Sequence, residues 1–198
     1  MQSVLPEFSN WQPWSLETIK RQLHGLEWIL AGGFALELYC GTNYRPHEDI
    51  DIIIKRSNQK RLIQYFDLDQ LFIAYRGNLT PFSTDEFYKK PIQDIWVLSE
   101  DGQNWCLQIM LVDEAEGNWI YKRNSKIQLP FEVIYFEREG IKALKPEIQF
   151  LYKSKNIRAK DQLDFEMIYG QLSKKAKDWL QMNLEKCYDK KHSWLCLE

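Results

Sequence analysis

Cysteine is scarce in this chain, and its spacing fits no metal or disulfide framework. None of the four cysteines belongs to a CxxC pair, and they stand in unlike contexts at Cys40, Cys106, Cys187 and Cys196. Neither a zinc site built from paired cysteines nor a disulfide scaffold is therefore indicated. Cys40 and Cys106 lie among apolar residues and are expected to pack as small hydrophobic side chains.

Long apolar runs are also absent. No stretch approaches the roughly 18 apolar residues that a membrane-spanning helix needs, so no membrane partner is expected. Residues 1–14 include Pro6, Glu7 and Pro13 and contain no apolar run, so no signal peptide is expected either. We therefore expect the protein in the reducing cytoplasm.

A charge excess of one sign is the third absence. The 26 basic and 28 acidic side chains leave a net charge of −2. Because no overall positive field would attract a polyanion, a nucleic-acid partner is not expected, although a local basic patch is compatible with this balance.

The composition that remains is typical of a globular protein with its own core. Hydrophobic residues make up 44% of the 198 positions and charged residues 27%. A chain of this length forms one domain, or one domain with a small addition, without needing covalent crosslinks. The eight tryptophans favour an aromatic core; Trp105, Trp119 and Tyr121 are also candidates for stacking on a nucleobase or sugar.

Hydrophobic periodicity predicts an α/β portion followed by a helical tail. Ser15 is a candidate cap for the first helix, and Gly41 is a candidate end for the second. A loop is expected at 78–91 and an acidic loop at 113–117. The predicted strands are 27–31, 49–55, 71–75, a hairpin of 95–98 with 105–112, and a second hairpin of 131–136 with 141–144. The predicted helices are 15–25, 34–40, 59–66, 146–154, 160–169 and 173–187.

Two short motifs carry the chemical information. Gly32-Gly33 separates a predicted strand from a predicted helix, where it forms either a tight turn or a helix start whose N–H groups receive phosphate oxygens. Asp49 and Asp51 occupy one face of a strand about 6–7 Å apart. Facing water they would be two solvated charges, whereas facing a cleft they would attract a divalent cation.

The two motifs are more informative together than apart. The glycine pair precedes the paired carboxylates by 16 positions, and their two strands are candidates for neighbours in a sheet. Such an arrangement is able to hold a nucleoside triphosphate, with its magnesium at the carboxylates.

These motifs resemble those of the DNA polymerase beta-like nucleotidyltransferase superfamily, nearest its aminoglycoside and lincosamide nucleotidyltransferase-like members. The matching residues are Gly32-Gly33, Arg45-x-His47-x-Asp49-x-Asp51, Pro-Glu-x-x-x-x-Tyr-Lys-x-Lys from Pro146 to Lys155, and Lys160-Asp161-x-x-Asp164. The resemblance implies an α+β fold with a small mixed β-sheet flanked by helices. It also implies a nucleotidyltransferase domain at 1–145 and a helical segment at 146–198 that closes the cleft.

The resemblance also implies roles for individual residues. Asp49 and Asp51 would bind Mg²⁺ or Mn²⁺ and serve as catalytic residues. Gly32, Gly33, Lys153 and Lys160 would bind the nucleotide, with Asp161 and Asp164 orienting the lysines or capping the next helix. Arg45 and His47 would reach phosphate or position the aspartates, and a purely structural hydrogen-bonding role for His47 is equally open.

One position departs from the pattern of the superfamily. A third carboxylate would be expected at position 108 on the strand 105–112, and this chain has Gln108 there. An amide oxygen is a poorer magnesium ligand than a carboxylate and cannot act as a general base. Asp113 and Glu114 lie just beyond and are candidate substitutes, although Asp113 has the opposite strand parity.

The resemblance implies an enzyme that moves a nucleoside monophosphate from a triphosphate to a hydroxyl of a small, aminoglycoside-like acceptor. The alternative, motivated by Gln108, is a catalytically weakened nucleotide-binding or protein-interaction module, such as a member of a toxin–antitoxin pair. The pattern predicts neither the nucleotide nor the oligomeric state.

Overall fold

The computed structural model describes residues 5–188 and 192–195, so Cys196 lies outside the described residues. The α-helices are α1 (Leu16–Gln22), α2 (Gly32–Cys40), α3 (Pro146–Lys153), α4 (Ala159–Ile168) and α5 (Lys174–Tyr188). The strands are β1 (Ile29–Ala31), β2 (Asp51–Lys55), β3 (Leu71–Tyr75), β4 (Asn78–Pro81), β5 (Asp94–Leu98), β6 (Trp105–Ala115), β7 (Asn118–Ile120), β8 (Gln128–Pro130), β9 (Tyr135–Arg138) and β10 (Ile141–Leu144). Short 3₁₀ turns connect several of them.

The chain divides into two compact units. The first unit comprises Met1–Ile29 with Arg45–Glu114, and the second comprises Leu30–Tyr44 with Ala115–Glu198. Each unit therefore contains two segments that are distant in the sequence. The expected domain division at residue 145 stays a prediction.

The first unit contains a five-stranded mixed sheet in the order β4-β3-β5-β6-β2. β2 and β6 run parallel, and the other neighbours are antiparallel. β2 and β6 are paired from Asp51 with Gln108 to Lys55 with Val112. The N-terminal segment extends the same sheet, because Trp11 forms a parallel bridge with Trp105.

The second unit is built around helices and a smaller group of strands. β1 pairs in parallel with β10 through Leu30 and Ala143, and β10 pairs antiparallel with β9. β7 and β8 form a separate antiparallel pair. The core of the helices is aromatic: the rings of Phe165 and Trp194 are stacked at 4.3 Å, and Phe150 contacts both edge-on.

The mixed α+β class is confirmed, and most local signals produced the expected elements. The Ser15 hydroxyl accepts a hydrogen bond from the Thr18 N–H at 3.1 Å and caps α1. Gly41 ends α2 in the left-handed conformation, with φ of +79°. The predicted hairpin of 95–98 with 105–112 forms as β5 with β6. The second forms as β9 with β10, although Phe131–Val133, predicted as the start of its first strand, is a 3₁₀ helix.

Four expectations about elements were wrong. The predicted loop 78–91 contains β4, whose pairing with β3 supplies backbone partners that single-residue preferences do not show. The predicted helix 59–66 is a 3₁₀ helix, Arg56–Gln64. The predicted acidic loop 113–117 begins inside β6, which runs to Ala115. α2 starts at Gly32 itself, two residues earlier than predicted.

A helix that spans a bilayer needs roughly 18 or more predominantly apolar residues. Within the described ranges, no helix is both long and apolar enough to cross a membrane.

The end of α2 generates a stability prediction. The Arg138 guanidinium donates to the carbonyls of Leu38 and Tyr39, and a Cβ at Gly41 would lie 2.7 Å from it. Gly41→Ala should therefore lower the free energy of unfolding by about 1–2 kcal/mol, because the left-handed conformation is strained for alanine. Thermal denaturation measures the effect.

Gly170→Ala is the matched control, because Gly170 has open space around its Cβ position and no positive φ. It should change the free energy of unfolding by less than about 0.5 kcal/mol. Equal melting temperatures for the two variants would contradict the assigned role of Gly41.

Candidate active site

The paired aspartates lie at the start of β2 in the first unit. Asp51 is the first residue of the strand, and both Asp49 and Asp51 are partly exposed, while Ile50 between them is buried. This alternation is what a strand with two carboxylates on one face produces. The backbone N–H of Gln108 donates to the Ile50 carbonyl at 2.9 Å, which binds β6 to the residue between the aspartates.

Gln108 lies where the sequence predicted the third carboxylate. It pairs directly with Asp51 across β2 and β6, and side chains at paired positions of neighbouring strands share a face. Gln108 is partly exposed, like Asp51. The predicted adjacency of position 108 and the aspartates is therefore confirmed, and the departure from three carboxylates is a feature of the structure.

An acidic residue that the sequence interpretation missed lies beside Gln108. The Nε2 of Gln108 donates to Oδ1 of Asp94 at 3.4 Å, and Asp94 is on β5 opposite Met110. Asp94 therefore shares the sheet face of Gln108 and Asp51. The signal available in the sequence was that Asp94 directly precedes the predicted strand 95–98 and has the same strand parity as Trp96. The register of that strand against β6, which completes the argument, is not given by the sequence.

Asp113 and Glu114 do not replace the third carboxylate. Asp113 forms ion pairs with Arg56 at 2.6 Å and with Lys90 at 3.2 Å, on the face of β6 opposite Gln108. Burial opposes ionisation of Asp113, but hydrogen bonds and charge from Arg56 and Lys90 outweigh it and lower its pKa. Glu114 shares the parity of Gln108, but it lies six residues along β6 and pairs with Lys55 at 3.5 Å.

Arg45 and His47 hold one another in the segment that leads to the aspartates. Nη1 of Arg45 lies 3.0 Å from Nδ1 of His47 and 3.1 Å from the Pro46 carbonyl. Since a guanidinium only donates, Nδ1 of His47 is the acceptor and carries no proton. This hydrogen bond therefore requires the His47 tautomer whose proton is on Nε2.

The glycine pair belongs to the second unit, where it starts α2. Gly32 has φ of +67°, a conformation that strains residues with a Cβ. The Gly32 N–H donates to Oε1 of the buried Gln149 side chain on α3 at 2.9 Å. This N–H is therefore used inside the protein. The expectation that Gly32 offers its own N–H to a phosphate is wrong for this conformation, and Gly32 contributes the shape of the turn.

Lys153 lies in a buried ion network of the second unit. Its Nζ is 2.6 Å from Asp161 and 3.0 Å from Asp164, and its side chain is only 7% exposed. Asp164 also accepts the Tyr44 hydroxyl at 2.9 Å. The expectation that these two aspartates orient a lysine is confirmed for Lys153. Lys160, in the first turn of α4, is partly exposed.

Asp161 is the most heavily bonded carboxylate of this network. Arg158 donates to it from its backbone N–H, Nε and Nη2 at 3.1, 2.7 and 3.1 Å. Burial favours its neutral form, but hydrogen bonds from Arg158 and Lys153 outweigh burial and lower its pKa to about 2. Asp161 thus stays ionised at neutral pH and fixes Lys153 against the start of α4.

The aromatic residues singled out from the sequence belong to the core. Trp105, Trp119 and Tyr121 are fully buried. The indole N–H of Trp105 donates to the Glu7 carbonyl, and the Tyr121 hydroxyl donates to the Leu151 carbonyl. Their candidate role in stacking on a ligand was wrong for this conformation.

The comparisons with known proteins agree with this architecture. Residues 14–135 match the family model described as nucleotidyl transferase AbiEii toxin, Type IV TA system. The chain belongs to this family. It is a nucleotidyltransferase of the superfamily that the motifs indicated. No curated protein matches this chain.

A solved structure shares the fold. The crystal structure of the lincosamide antibiotic adenylyltransferase LnuA, with lincomycin bound, is 18% identical and has a TM-score of 0.50. The match covers 76% of this chain and 89% of that chain. At this identity the likeness establishes a common nucleotidyltransferase fold.

The donor atoms of the first unit fit a hard divalent cation. Asp49 and Asp51 supply carboxylate oxygens, and Gln108 supplies an amide oxygen, which are the ligand types that magnesium prefers. Among the residues that the structure describes, no group of three or more His, Cys, Asp or Glu is arranged to hold a metal alone. The set therefore fits a cation that brings further oxygen ligands with a triphosphate.

The Gln149 hydrogen bond generates a prediction about the nucleotide. Gln149→Met keeps the side-chain length but removes the acceptor for the Gly32 N–H. We expect the free energy of unfolding to fall by about 1–3 kcal/mol. We also expect the KM for the nucleotide to rise roughly tenfold, with a smaller change in kcat, because the turn that begins α2 is displaced.

Gln59→Met is the matched control in the first unit. Gln59 is fully buried, and its Oε1 accepts the Tyr88 N–H at 2.8 Å, which is the same kind of contact. This variant should lose at least as much stability without a selective change in KM. Equal KM values for the two variants would contradict the role of Gln149.

Proposed function

We propose that this nucleotidyltransferase moves a nucleoside monophosphate from a triphosphate to a hydroxyl of a small acceptor, with Mg²⁺ or Mn²⁺ at Asp49 and Asp51. The observation that supports this is the pairing of Asp51 with Gln108 across β2 and β6, on a partly exposed face. Two carboxylates and an amide oxygen there match the cation that accompanies a triphosphate.

The transfer is a displacement at the α-phosphorus. The acceptor oxygen forms a bond to this phosphorus while the bond to the bridging oxygen breaks, pyrophosphate leaves, and the hydroxyl proton passes to a carboxylate of the site. Magnesium, when bound, would neutralise phosphate charge and lower the pKa of the acceptor hydroxyl. The protein's own task is to hold the reacting groups in line.

The residues divide this task. Asp49 and Asp51 bind and orient the cation, while Gln108 contributes a neutral oxygen and cannot take the proton. In the second unit, Gly33 and the start of α2 receive phosphate oxygens, and Gly32 gives the turn its shape. Lys160 supplies positive charge to the phosphates. Lys153 instead forms ion pairs with Asp161 and Asp164, and its role is to fix these two carboxylates in place.

A second candidate function follows from the family description and from Gln108. The matched family is described as a toxin of a Type IV TA system, and a toxin would act on a cellular target under the control of an antitoxin. A site with two carboxylates would also suit a module whose turnover is weak. The two candidates differ in acceptor and in rate.

The Gln108→Asp variant tests whether the missing third carboxylate limits metal binding and turnover. It adds a third anion with little change in bulk, so a metal that activates the acceptor should bind more tightly. We expect lower magnesium or manganese concentrations for half-maximal pyrophosphate release at fixed ATP. Coincident metal titrations for the variant and the wild type would show that position 108 does not contact the metal.

The direct test of the proposed function is calorimetry with ATP, GTP, CTP and UTP, with and without magnesium. A pyrophosphate-release screen over hydroxylated acceptors follows with the nucleotide that binds. Magnesium-dependent binding of one nucleotide is expected. Nucleotide binding that does not depend on magnesium, or no binding of any of the four nucleotides, would contradict the proposal.

Asp51→Asn should abolish most magnesium-dependent nucleotide binding while the fold remains intact. Removing one of two neighbouring negative charges relieves repulsion in the protein without metal, so the melting temperature should not fall. The dissociation constant measured with magnesium should rise at least about tenfold, which is 1.4 kcal/mol.

Asp69→Asn is the control, because it removes one negative charge from an exposed position of the same unit. It should leave nucleotide binding unchanged. If Asp51→Asn melts several degrees lower and still binds magnesium and nucleotide normally, Asp51 has a structural role.

A further inference from the structure

A hydrogen bond joins Asp94 and Gln108 on the sheet face that carries Asp51. Nε2 of Gln108 donates to Oδ1 of Asp94 at 3.4 Å. Asp94 pairs with Met110 across β5 and β6, two residues along from Gln108. Residues in such diagonal positions share a face, and a long side chain such as glutamine spans the roughly 7–8 Å between them. The strand register therefore brings the two side chains together.

The direction of this hydrogen bond fixes the orientation of the amide. An ionised carboxylate only accepts hydrogen bonds, whereas the two ends of a glutamine amide differ, because Nε2 donates and Oε1 accepts. Nε2 is therefore the end of the Gln108 amide that faces Asp94 and β5. Oε1 is left for the other side of Gln108, where Asp51 occupies the paired position on β2.

Asp94 itself is too distant from Asp51 to share a cation with it. Two strand spacings across the sheet and two residues along it separate them, which is about 12 Å between the two backbones. A magnesium ligand lies only roughly 2 Å from the ion. Asp94 therefore influences a cation bound by Asp51 either through Gln108 or through its charge at a distance.

The surroundings of the pair strengthen its hydrogen bond. Asp94 and Gln108 are partly exposed, but three other residues of the same face are buried, with exposures of 1–7%: Ile53, Phe72 and Cys106. A hydrogen bond is electrostatically stronger where the local dielectric constant is low, and a bond accepted by a charged group polarises the amide that donates it. The negative charge of Asp94 therefore increases the electron density on Oε1 of Gln108.

This pairing gives a physical reason for glutamine at position 108. A carboxylate there would bring a second negative charge close to Asp94, which is unfavourable in the protein without a cation. The amide avoids this repulsion because it presents a donor to Asp94 and an oxygen to the opposite side. The sheet face thus keeps a third acidic residue, one strand farther from Asp51 than position 108.

We propose that Asp94 is a positioning residue for the metal site. Its carboxylate holds the Gln108 amide by Nε2, so that Oε1 is presented to the cation and is a stronger oxygen ligand than an unsupported amide. Removing a partner that holds a metal ligand in this way typically lowers metal affinity by roughly 10–100-fold. The inference rests on the proposed function, which places the cation at Asp49 and Asp51.

A set of four proteins separates an effect through Gln108 from an effect of charge alone: wild type, Asp94→Asn, Gln108→Met and the double variant. Asp94→Asn keeps the shape but removes the charge, and it allows the Gln108 amide to turn over, since an asparagine amide both donates and accepts. Gln108→Met keeps the length but has no oxygen to present. Electron paramagnetic resonance measures the dissociation constant of Mn²⁺ with a saturating triphosphate, chosen from ATP, GTP, CTP and UTP by calorimetry.

Asp94→Asn should raise this dissociation constant about tenfold when Gln108 is present and less than about twofold in the Gln108→Met background. Asp94→Glu retains the carboxylate and should recover most of the wild-type affinity. Glu166→Gln is the matched control, because the exposed Glu166 carboxylate accepts a hydrogen bond from Nε2 of Gln162 at 2.8 Å. This control should leave the affinity for Mn²⁺ unchanged.

NMR of the metal-free protein tests the hydrogen bond itself. The side-chain NH₂ group of Gln108, assigned through its own backbone resonances, should have one proton shifted downfield in the wild type and in Asp94→Glu. The shift should be smaller in Asp94→Asn, because a neutral acceptor forms a weaker hydrogen bond than a carboxylate. The wild-type spectrum needs neither metal nor nucleotide, so it tests the pairing even if a variant fails to fold.

The contradicting outcomes are distinct. An equal rise of the Mn²⁺ dissociation constant in both backgrounds would show that Asp94 acts by charge alone and would overturn the positioning role, as would unchanged affinity in Asp94→Asn. A wild-type Gln108 NH₂ group without a downfield proton would also overturn it. Failure of the wild type to bind any triphosphate with a divalent cation overturns the proposed function, and the role of Asp94 falls with it.

Discussion

The parallel pairing of β2 with β6 is the interaction on which the candidate site of the first unit depends. The hydrogen bond from the Gln108 N–H to the Ile50 carbonyl, at 2.9 Å, fixes the register. A shift of one residue would turn the row of Asp51 and Gln108 into the apolar core and expose Ile52 and Ile109. Burial of the isoleucines therefore determines where the carboxylates lie, since each buried aliphatic side chain contributes about 1.5–3 kcal/mol.

The second unit positions its candidate residues by a different means. α3 carries Gln149 and Lys153 one helical turn apart; Gln149 binds the Gly32 N–H, and Lys153 binds Asp161 and Asp164. Breaking a buried ion pair by removing one partner is expensive, because it leaves a charge without compensation. The start of α2 and the start of α4 are thus both fixed to α3 by buried polar contacts.

Local signals in the sequence were sufficient for the elements and for part of the site. Ser15 and Gly41 marked helix ends because capping depends on a few neighbouring residues. The alternation in Asp49–Lys55 predicted a strand, and strand parity predicted position 108 correctly because it needs only the period of two. The family match over residues 14–135 agrees with the motifs.

The contacts that were missed are those between distant positions. Asp94 becomes a candidate only when the register of β5 against β6 is known, and Gln149 is 117 residues from Gly32. Asp113 looked like a candidate ligand until the structure placed it with Arg56 on the opposite face. Residue types indicate which chemistry is available, whereas long-range strand and helix pairing determines which residues lie in the same site.

The most direct measurement is anomalous scattering from a crystal grown with Mn²⁺ and a non-hydrolysable nucleoside triphosphate. We expect a manganese peak within coordination distance of the Asp49 and Asp51 carboxylates, on the sheet face that carries Gln108, with triphosphate oxygens completing the coordination. A manganese ion bound with the nucleotide elsewhere, with no contact to Asp51, would contradict this expectation.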